Sequence, residues 1–543
     1  MTSVKKGEKI FSCILFLVFI FLMALTISQK INYHVDEISS YTLANDAEDL
    51  FLTFKDYQAY TPAESVFLEC MTASADHLFD YTNVIANQAA DVHPPLYYLI
   101  LHTICSFFPG TFSKWYAGVI NIAFGALTLF FVRKLVRALT ASVMSRDHSW
   151  LLTNLVSIAF ILCAGVYEAI PFLRMYIMAM CWVTATSFLL VHQIGQPKQT
   201  RRFYISCLVV TFLGAMTHYY CIVYTVMSSI AYMLVLLVQK KWKEAGGFFA
   251  VMAVSGIVSV AVYPAMLQHM FSGYRGKEAL ENLAAEDNYL DRLHSFFNFL
   301  SESIFGGTLA GIFIFMGLLA ICKWLLTCRH DSANAQKSSE SLPPVLPKEE
   351  WRKIFCVAFP CILYFLLISR IASYVTDRYL FPIYAVSLVW VLVLLALLIW
   401  SLFSKKNAVL LLCAVFALVI ATGWQQYNGS YLLKDSSTLL KNAAAHTGVD
   451  CLCIYDPQWQ WKAEPSFKEV SYYGSITFVP MDHLDELSDL SIASDQEMVV
   501  LLIEIDNPDE YLRQIMELYP QLTASQSIGS YGFGNSYYLA AEP

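Results

Sequence analysis

Eleven long apolar runs dominate the sequence, at residues 10–28, 115–132, 150–166, 175–192, 203–217, 219–238, 246–266, 303–327, 353–369, 380–403 and 407–425. A helix crosses the hydrocarbon of a bilayer with about 20 apolar residues, and only helices and closed barrels satisfy every backbone amide there. A chain built this way reads as an α-helical polytopic membrane protein. Composition agrees. Hydrophobic residues make up 57% and charged residues 14%, with a mean hydropathy of +0.51, whereas a soluble domain carries roughly 25% charge. A soluble cytosolic enzyme, a disordered chain and a nucleic-acid binder are excluded.

The flanking charges orient the runs. Lys5, Lys6 and Lys9 precede the first. That run is long for a signal peptide and lacks a clear small-residue cleavage site, so an uncleaved anchor with a cytoplasmic N-terminus is expected. The loops that then fall inside are all basic. They hold Arg133, Lys134, Arg137 and Arg146; Lys198, Arg201 and Arg202; Lys240, Lys241 and Lys243; Lys323, Arg329, Arg352 and Lys353; Lys405 and Lys406. Eleven spans place the C-terminal body outside. The segment 95–108 is apolar but short and carries His102; it is expected to lie at the outer surface or to enter partway, because a twelfth span, the competing reading, would invert the basic loops.

These signs divide the chain into a membrane domain, 1–425, and an extracytoplasmic α/β domain, 426–543. Within the first, residues 29–114 form an outer loop with surface helices. The C-terminal part from Tyr427 has five Lys/Arg against seventeen Asp/Glu, a net of −12, and residues 29–92 have two against eleven, a net of −9. A third outer stretch is 267–302. The Ser- and Pro-rich inner loop 328–352 reads as a linker. In the C-terminal domain, helices are expected near 436–445 and 509–518, with strands at 451–455, 498–505 and 536–540 and a further apolar run at 476–479. The fourteen cysteines lie mostly in apolar runs, and Cys451 and Cys453 point to opposite faces of one strand, so no disulfide ladder is expected.

Five motifs carry polar chemistry, and all fall on the outer side. Asp36 and Glu37 follow the first span. They offer a general base or metal ligands, and the plain reading is a solvated acidic loop. Asp91-Val92-His93-Pro94-Pro95-Leu96-Tyr97-Tyr98 uses two prolines to fix an extended entry into a helix, holding Asp91 and His93 at the surface, or simply marks a turn. Arg174 and Tyr176 enter the fourth span. An arginine so near hydrocarbon takes a phosphate or carboxylate partner, or snorkels to water. His218 and Tyr219, in Thr217-His218-Tyr219-Tyr220, offer hydrogen bonds to a sugar or phosphate, or serve as an aromatic belt. Arg378 and Tyr379 open the tenth span, where Arg378 clamps a phosphate or forms an internal pair, with Asp377 or with another helix. Carboxylates, arginines and aromatics at one leaflet suit a lipid phosphate and a sugar. No intracellular nucleotide motif is present.

The Asp36-Glu37 pair, the His93-Pro94-Pro95 element, Arg174-x-Tyr176, His218-Tyr219-Tyr220 and Arg378-Tyr379 together resemble the GT-C glycosyltransferases. They are most like glycosyltransferase family 39, which includes protein O-mannosyltransferases and the lipid A aminoarabinose transferase. The resemblance spans roughly residues 10–425. It implies a polyprenyl-phosphate-linked sugar donor, inversion at the anomeric carbon, and an acceptor on the outer face. By position it implies Asp36 as the base, with Glu37 binding acceptor or orienting Asp36. Arg174 and Arg378 would hold the donor phosphate, and Asp91, His93, Tyr176, His218, Tyr219 and Tyr379 would line the pocket. Two departures bear on the acceptor. Leu96-Tyr97-Tyr98 stands where the mannosyltransferases have Leu-Gly-Lys, and 267–302 is too short for their β-trefoil insertion. A cell-envelope polymer, glycolipid or surface protein is therefore the expected acceptor. A divalent ion is conceivable if Asp36, Glu37, Asp91 and His93 converge. The competing class is a lipid-linked-sugar transporter or an envelope scaffold, against which stand the lack of an internal repeat and the one-sided clustering of ionisable residues.

Overall fold

The computed structural model describes residues 2–285, 288–334, 346–484 and 497–541. Each of the eleven apolar runs becomes a helix. Among the described residues, nine are long and apolar enough to cross a membrane: Gly7–Ser28, Lys114–Thr140, Tyr176–Ile194, Tyr219–Val238, Trp242–Val262, Leu309–Thr327, Lys348–Ile371, Asp377–Leu402 and Lys405–Gln426. The remaining two, Arg146–Ile161 and Arg201–Ala215, have 16 and 15 residues. Both still return the chain to the end of the bundle from which it left. Lys114 Nζ donates to the carbonyls of Ser28 and Lys30 (3.0 and 2.7 Å), and Arg174, beyond Arg146–Ile161, is back against the Asp36 carbonyl at 2.6 Å. In the same way the Leu96 amide donates to Met216 at 2.9 Å. The opposite end carries the basic loops, where Arg146 pairs with Glu8 and Lys353 with Glu349 and Glu350, each at 2.9 Å.

Two boundaries differ from the expected ones for local reasons. The run 150–166 stays helical only to Ile161, then forms the short helix Ala164–Ala169, and Pro171 stops further propagation. That break frees Phe172 to Met175 as a non-helical loop. The run 303–327 is interrupted at Gly306 and Gly307, both with left-handed backbones (φ 57° and 78°). A Cβ on Gly306 would collide with Thr422 and Gly423, so the chain turns there and the long helix starts at Leu309. Of the linker expected over 328–352, residues 335–345 lie outside the described residues.

A layer of short elements covers the end opposite the basic loops. The first loop supplies helices Val35–Asn45, Ser65–Met71, Tyr81–Ala90 and Leu96–Ser106. The last is the short apolar segment expected at the surface. The C-terminal domain supplies most of a six-stranded sheet: β2 (Cys451–Tyr455), β3 (Ile476–Pro480), β4 (Glu497–Ile503), β5 (Ala524–Tyr531) and β6 (Gly534–Ala540). The sixth strand, β1 (Ala59–Tyr60), comes from the first loop and pairs antiparallel with β3. The order is β1-β3-β2-β4-β6-β5, with β3, β2 and β4 parallel.

Alternation along the strands sends Cys451, Cys453, Tyr455, Phe478 and Leu501 into one apolar core with Tyr41, Phe67, Tyr97 and Leu101 of the first loop. Leu452, Ile454, Val500 and Leu502 face the other way, onto the helix Pro508–Leu518 through Leu512 and Ile515. Phe54 of the first loop stacks on Phe478 with ring centroids 3.7 Å apart. Each fully buried side chain of this size is worth about 1.5–3 kcal/mol, so the first loop and the C-terminal domain hold together as one layer.

Two carboxylic acids are locked inside this layer. Glu464 accepts from Ser39 Oγ (2.7 Å) and the Leu52 amide (3.2 Å), and Glu469 accepts from Tyr473 at 2.8 Å. Burial pushes both up to about 7. Their folded pKa lies above the ordinary 4.5, so their contribution to stability is full below about pH 4.5 and is lost as pH rises through about 7. The double variant Glu464→Gln/Glu469→Gln should therefore gain thermal stability over wild type progressively between about pH 5 and pH 8. Thermal unfolding of both proteins across that range checks it, and a pH-independent difference would contradict the burial of the two acids.

Candidate functional site

The site is assembled around the first turn of the helix Val35–Asn45. His34 caps it, its Nδ1 accepting the Asp36 amide at 3.1 Å, while the Glu37 carboxylate reaches back to the His34 amide at 2.8 Å. This reciprocal pattern satisfies two amides that a helix start leaves open. Glu37 is fully buried and makes two further contacts. Lys30 Nζ lies 2.9 Å from Oε2, and the Leu173 amide donates to Oε1 at 2.7 Å. Glu37 thus ties the Asp36 helix to the end of the first span and to the loop before Arg174. Lys30 also donates to the Tyr431 carbonyl at 2.6 Å.

Asp36 is left facing two arginines. Arg378, from the tight turn Asp377–Ile383, forms an ion pair with its carboxylate. The Arg378 guanidinium lies over the rings of Tyr379 (5.6 Å) and Phe172 (5.9 Å). Arg174 donates to the Asp36 carbonyl at 2.6 Å, Ser40 Oγ at 2.9 Å and His93 Nε2 at 3.2 Å. It forms no ion pair among the described residues, and neither Arg174 Nε nor Arg378 Nε has a hydrogen-bond acceptor there. Burial would raise the Asp36 carboxyl, but Arg378 and Arg174, with His34 and His93, outweigh it and hold it below the usual carboxylate range.

The Pro94-Pro95 entry does fix its neighbours. Asp91 Oδ2 lies 2.6 Å from His93 Nδ1, and Tyr263 Oη donates to the His93 carbonyl at 3.2 Å. With Nδ1–H directed at Asp91, the Nε2 lone pair meets Arg174. Burial opposes ionisation of Asp91, yet His93 beside it keeps the carboxyl below its ordinary value.

Aromatic rings form the wall. Tyr176 packs between Phe172 (5.7 Å) and His218 (5.3 Å). His218 caps the helix Tyr219–Val238 by accepting the Tyr220 amide at 3.1 Å, and burial, reinforced by His93 and Arg174, pushes its imidazole down to about 3, so it stays neutral. Tyr379 faces Tyr220 at 5.6 Å. Tyr219 does not join this group. Successive helical residues point about 100° apart, and Tyr219 turns away to hydrogen-bond His269 at 2.7 Å.

The structure therefore brings together Asp36, Glu37, Arg174, Arg378, Asp91, His93, Tyr176, His218 and Tyr379. The divalent ion conceivable from the sequence finds no ligand set. Among the described residues no three His, Cys, Asp or Glu side chains converge; Glu37 is claimed by Lys30 and backbone amides, and Asp36 by Arg378. Three residues that sequence reading passed over also belong here. Lys30 is a basic residue just past a span, the ordinary mark of a boundary. Phe172 sits in what reads as a span end. Tyr431, in the connector after the last span, donates to Asp377 at 2.7 Å and packs on Phe172 at 4.5 Å.

No protein-family model matches the sequence, and no curated protein matches it. Solved structures do match in fold. ArnT from Cupriavidus metallidurans in the apo state aligns with a TM-score of 0.52 at 11% identity, covering 99% of this chain and 98% of that one. ArnT from the same organism bound to undecaprenyl phosphate aligns at 0.51 and 10% identity, covering 96% and 97%. AglB, the archaeal oligosaccharyltransferase from Archaeoglobus fulgidus, covers 97% of this chain and 74% of its own at 10% identity, with a looser TM-score of 0.39. The shared architecture is the GT-C fold, that of a multi-pass membrane protein with a C-terminal α/β sheet domain.

The Lys30–Glu37 pair is fully buried, and removing one partner leaves an uncompensated charge, which costs about 3–5 kcal/mol. Lys30→Met should lower the melting temperature strongly, and Lys30→Met/Glu37→Gln should recover part of the loss. Thermal unfolding in detergent measures both; an unchanged melting temperature in Lys30→Met would contradict a structural role for the pair.

Proposed function

We propose that this protein is a membrane glycosyltransferase that moves a sugar from a polyprenyl-phosphate carrier to a cell-envelope acceptor on the extracytoplasmic side, with inversion. The observation that carries the reading is the pair of guanidiniums, Arg174 buried and Arg378 half-buried, each with an Nε–H that has no acceptor among the described residues, flanking one ionised carboxylate. Fixed cationic donors beside a carboxylate suit a reaction that releases a phosphate while a hydroxyl loses its proton. The fold supports it, being that of a protein bound to undecaprenyl phosphate. The site also lies at the end of the bundle opposite the basic loops, which is the outer end by the positive-inside rule.

In this reading the donor phosphate takes Arg378 and Arg174 as its counterions. Asp36 is then released from Arg378, and loss of that partner raises its basicity. The acceptor oxygen attacks the anomeric carbon as its proton passes to Asp36. The bond from that carbon to the phosphate oxygen breaks, and the electron pair leaves with the phosphate, whose charge the two guanidiniums stabilise. Glu37 acts by orienting Asp36. His93, held by Asp91, positions Arg174, while Tyr176, His218 and Tyr379 line the sugar pocket. The acceptor is an envelope polymer, a glycolipid or a surface protein.

Asp36→Asn keeps a hydrogen-bonding partner for Arg378 and should fold, retain thermal stabilisation by undecaprenyl phosphate, and lose about 10²–10⁴-fold in kcat. Arg378→Ala should raise the KM for the lipid-phosphate donor while leaving the acceptor KM near wild type. Transfer from a panel of radiolabelled polyprenyl-phosphate sugars in nanodiscs measures both. Wild-type turnover by folded Asp36→Asn would overturn its role as the base.

A further inference from the structure

Away from the Asp36 centre, the C-terminal sheet carries a second concentration of recognition chemistry. In a sheet with parallel strands, ligands bind beyond the carboxyl ends of the strands, where the order of strand addition reverses. Here β2 is central, β3 is added on one side and β4 on the other, so that point lies between β2 and β4. The segment leaving β2, Pro457–Ser466, and the turn leaving β4 both sit there. The first carries Trp459, Trp461 and Lys462. The second begins with Glu504, held in a left-handed backbone conformation (φ 53°) and donating its amide to the Phe533 carbonyl at 2.7 Å. A non-glycine residue held at positive φ costs about 1–3 kcal/mol and tends to cluster at binding sites.

The side chains are organised around one ammonium group. Lys462 pairs with Glu504 and lies 4.6 Å from the centre of the Trp459 ring, 5.9 Å from Trp461 and 5.6 Å from Phe533. Trp461 meets Phe533 edge to face at 5.5 Å. The indoles are thereby fixed before any ligand arrives, which lowers the entropy cost of binding. Trp459 is nevertheless 43% exposed, although a ring of its size is normally highly buried. Gln458, exposed, and Gln460, half-buried with its Nε2 donating to Tyr455 Oη at 3.4 Å, flank it in the chain, and the exposed Glu504 is tied to it through Lys462. Fixed indole faces flanked by side-chain amides and the Lys462–Glu504 pair match a pyranose, whose axial C–H bonds form an apolar face and whose equatorial hydroxyls need hydrogen-bond partners. The same segment reaches the Asp36 helix five residues later, where Glu464 accepts from Ser39 at 2.7 Å.

We infer that the Trp459–Trp461 platform is a saccharide-binding site that docks the glycan portion of the acceptor. As a seat for the acceptor it rests on the glycosyl-transfer reading; as a saccharide site it stands on the platform alone.

The test uses the full-length protein in nanodiscs and an array of defined oligosaccharides built from glucose, galactose, mannose and N-acetylglucosamine. Wild type should bind at least one of them, and Trp459→Ala and Trp461→Ala should weaken that binding at least about tenfold, with melting temperature and undecaprenyl-phosphate binding unchanged. Asp36→Asn should bind as wild type does. Absence of binding to every oligosaccharide, or binding undiminished in both tryptophan variants, would overturn the site. So would quenching of Trp459 fluorescence by brominated nanodisc lipids, read as the difference between wild type and Trp459→Phe, because the ring would then be a membrane anchor. The two readings fail separately. Oligosaccharide binding through Trp459 without transfer to any acceptor would remove the transferase and keep the platform. Transfer with an unchanged acceptor KM in Trp459→Ala would keep the transferase and remove the platform.

Discussion

Glu37 is wholly removed from water, and a carboxylate in that position is stable only when its lone pairs are claimed and its charge is paired. Its partners come from three separate places: Lys30 at the end of the first span, the His34 amide at the start of its own helix, and the Leu173 amide in the loop that precedes Arg174. None of these can move without exposing an unpaired charge in a low-dielectric setting. The relative positions of Asp36 and Arg174 follow from that. Asp36 is one residue from Glu37 on the same helical turn, and Arg174 is one residue from Leu173. Lys30 extends the constraint to the connector at Tyr431, whose hydroxyl holds Asp377 beside Arg378.

On that frame, the charges around Asp36 have exchangeable partners. Arg378 uses Asp36 as its counterion, and among the described residues Arg174 meets a carbonyl, a hydroxyl and an imidazole. An incoming phosphate would compete for both guanidiniums, and whatever it displaces would be Asp36. In the proposed reaction the same exchange seats the leaving group and frees the base. Neutral His218 and the rings of Phe172, Tyr176 and Tyr379 surround these groups with apolar surface, and a fixed charge acts more strongly there than in water.

The end layer is where the chain departs most from its linear division into a membrane part and a soluble part. β1 of the first loop completes the C-terminal sheet, and one core serves both. Glu464 of the C-terminal domain hydrogen-bonds Ser39 on the helix that carries Asp36. A domain that reads as an appendage is in contact with the candidate site through its connector and through the segment after β2.

Much of this was legible in the residues. Apolar runs located the long helices and basic loops gathered at one end of the bundle, because hydrocarbon tolerates only internally bonded backbone and charge stays at the ends. Short continuous apolar runs located β2, β3 and β4, and Ser536–Ala540 was expected as the last strand. The five polar motifs shared one side, and they share one end of the bundle. Short-range patterns did not reach further. β5 was missed because Ala524–Tyr531 is Ser-rich and has one buried residue, and β1 because two residues carry no period. Tyr219 and Tyr220 are adjacent in sequence, and only the rotation of their helix decided that Tyr220 faces Tyr379. The arginine loop exists because Pro171 ends a helix early, but that this loop lands on Asp36 depends on Glu37 bonding Leu173, 136 residues away. The sequence by itself determined which groups lie at which face, since the cost of transfer into hydrocarbon is a property of each segment alone. Which of them touch was decided by tertiary structure, because buried charges are satisfied by partners that local sequence does not specify.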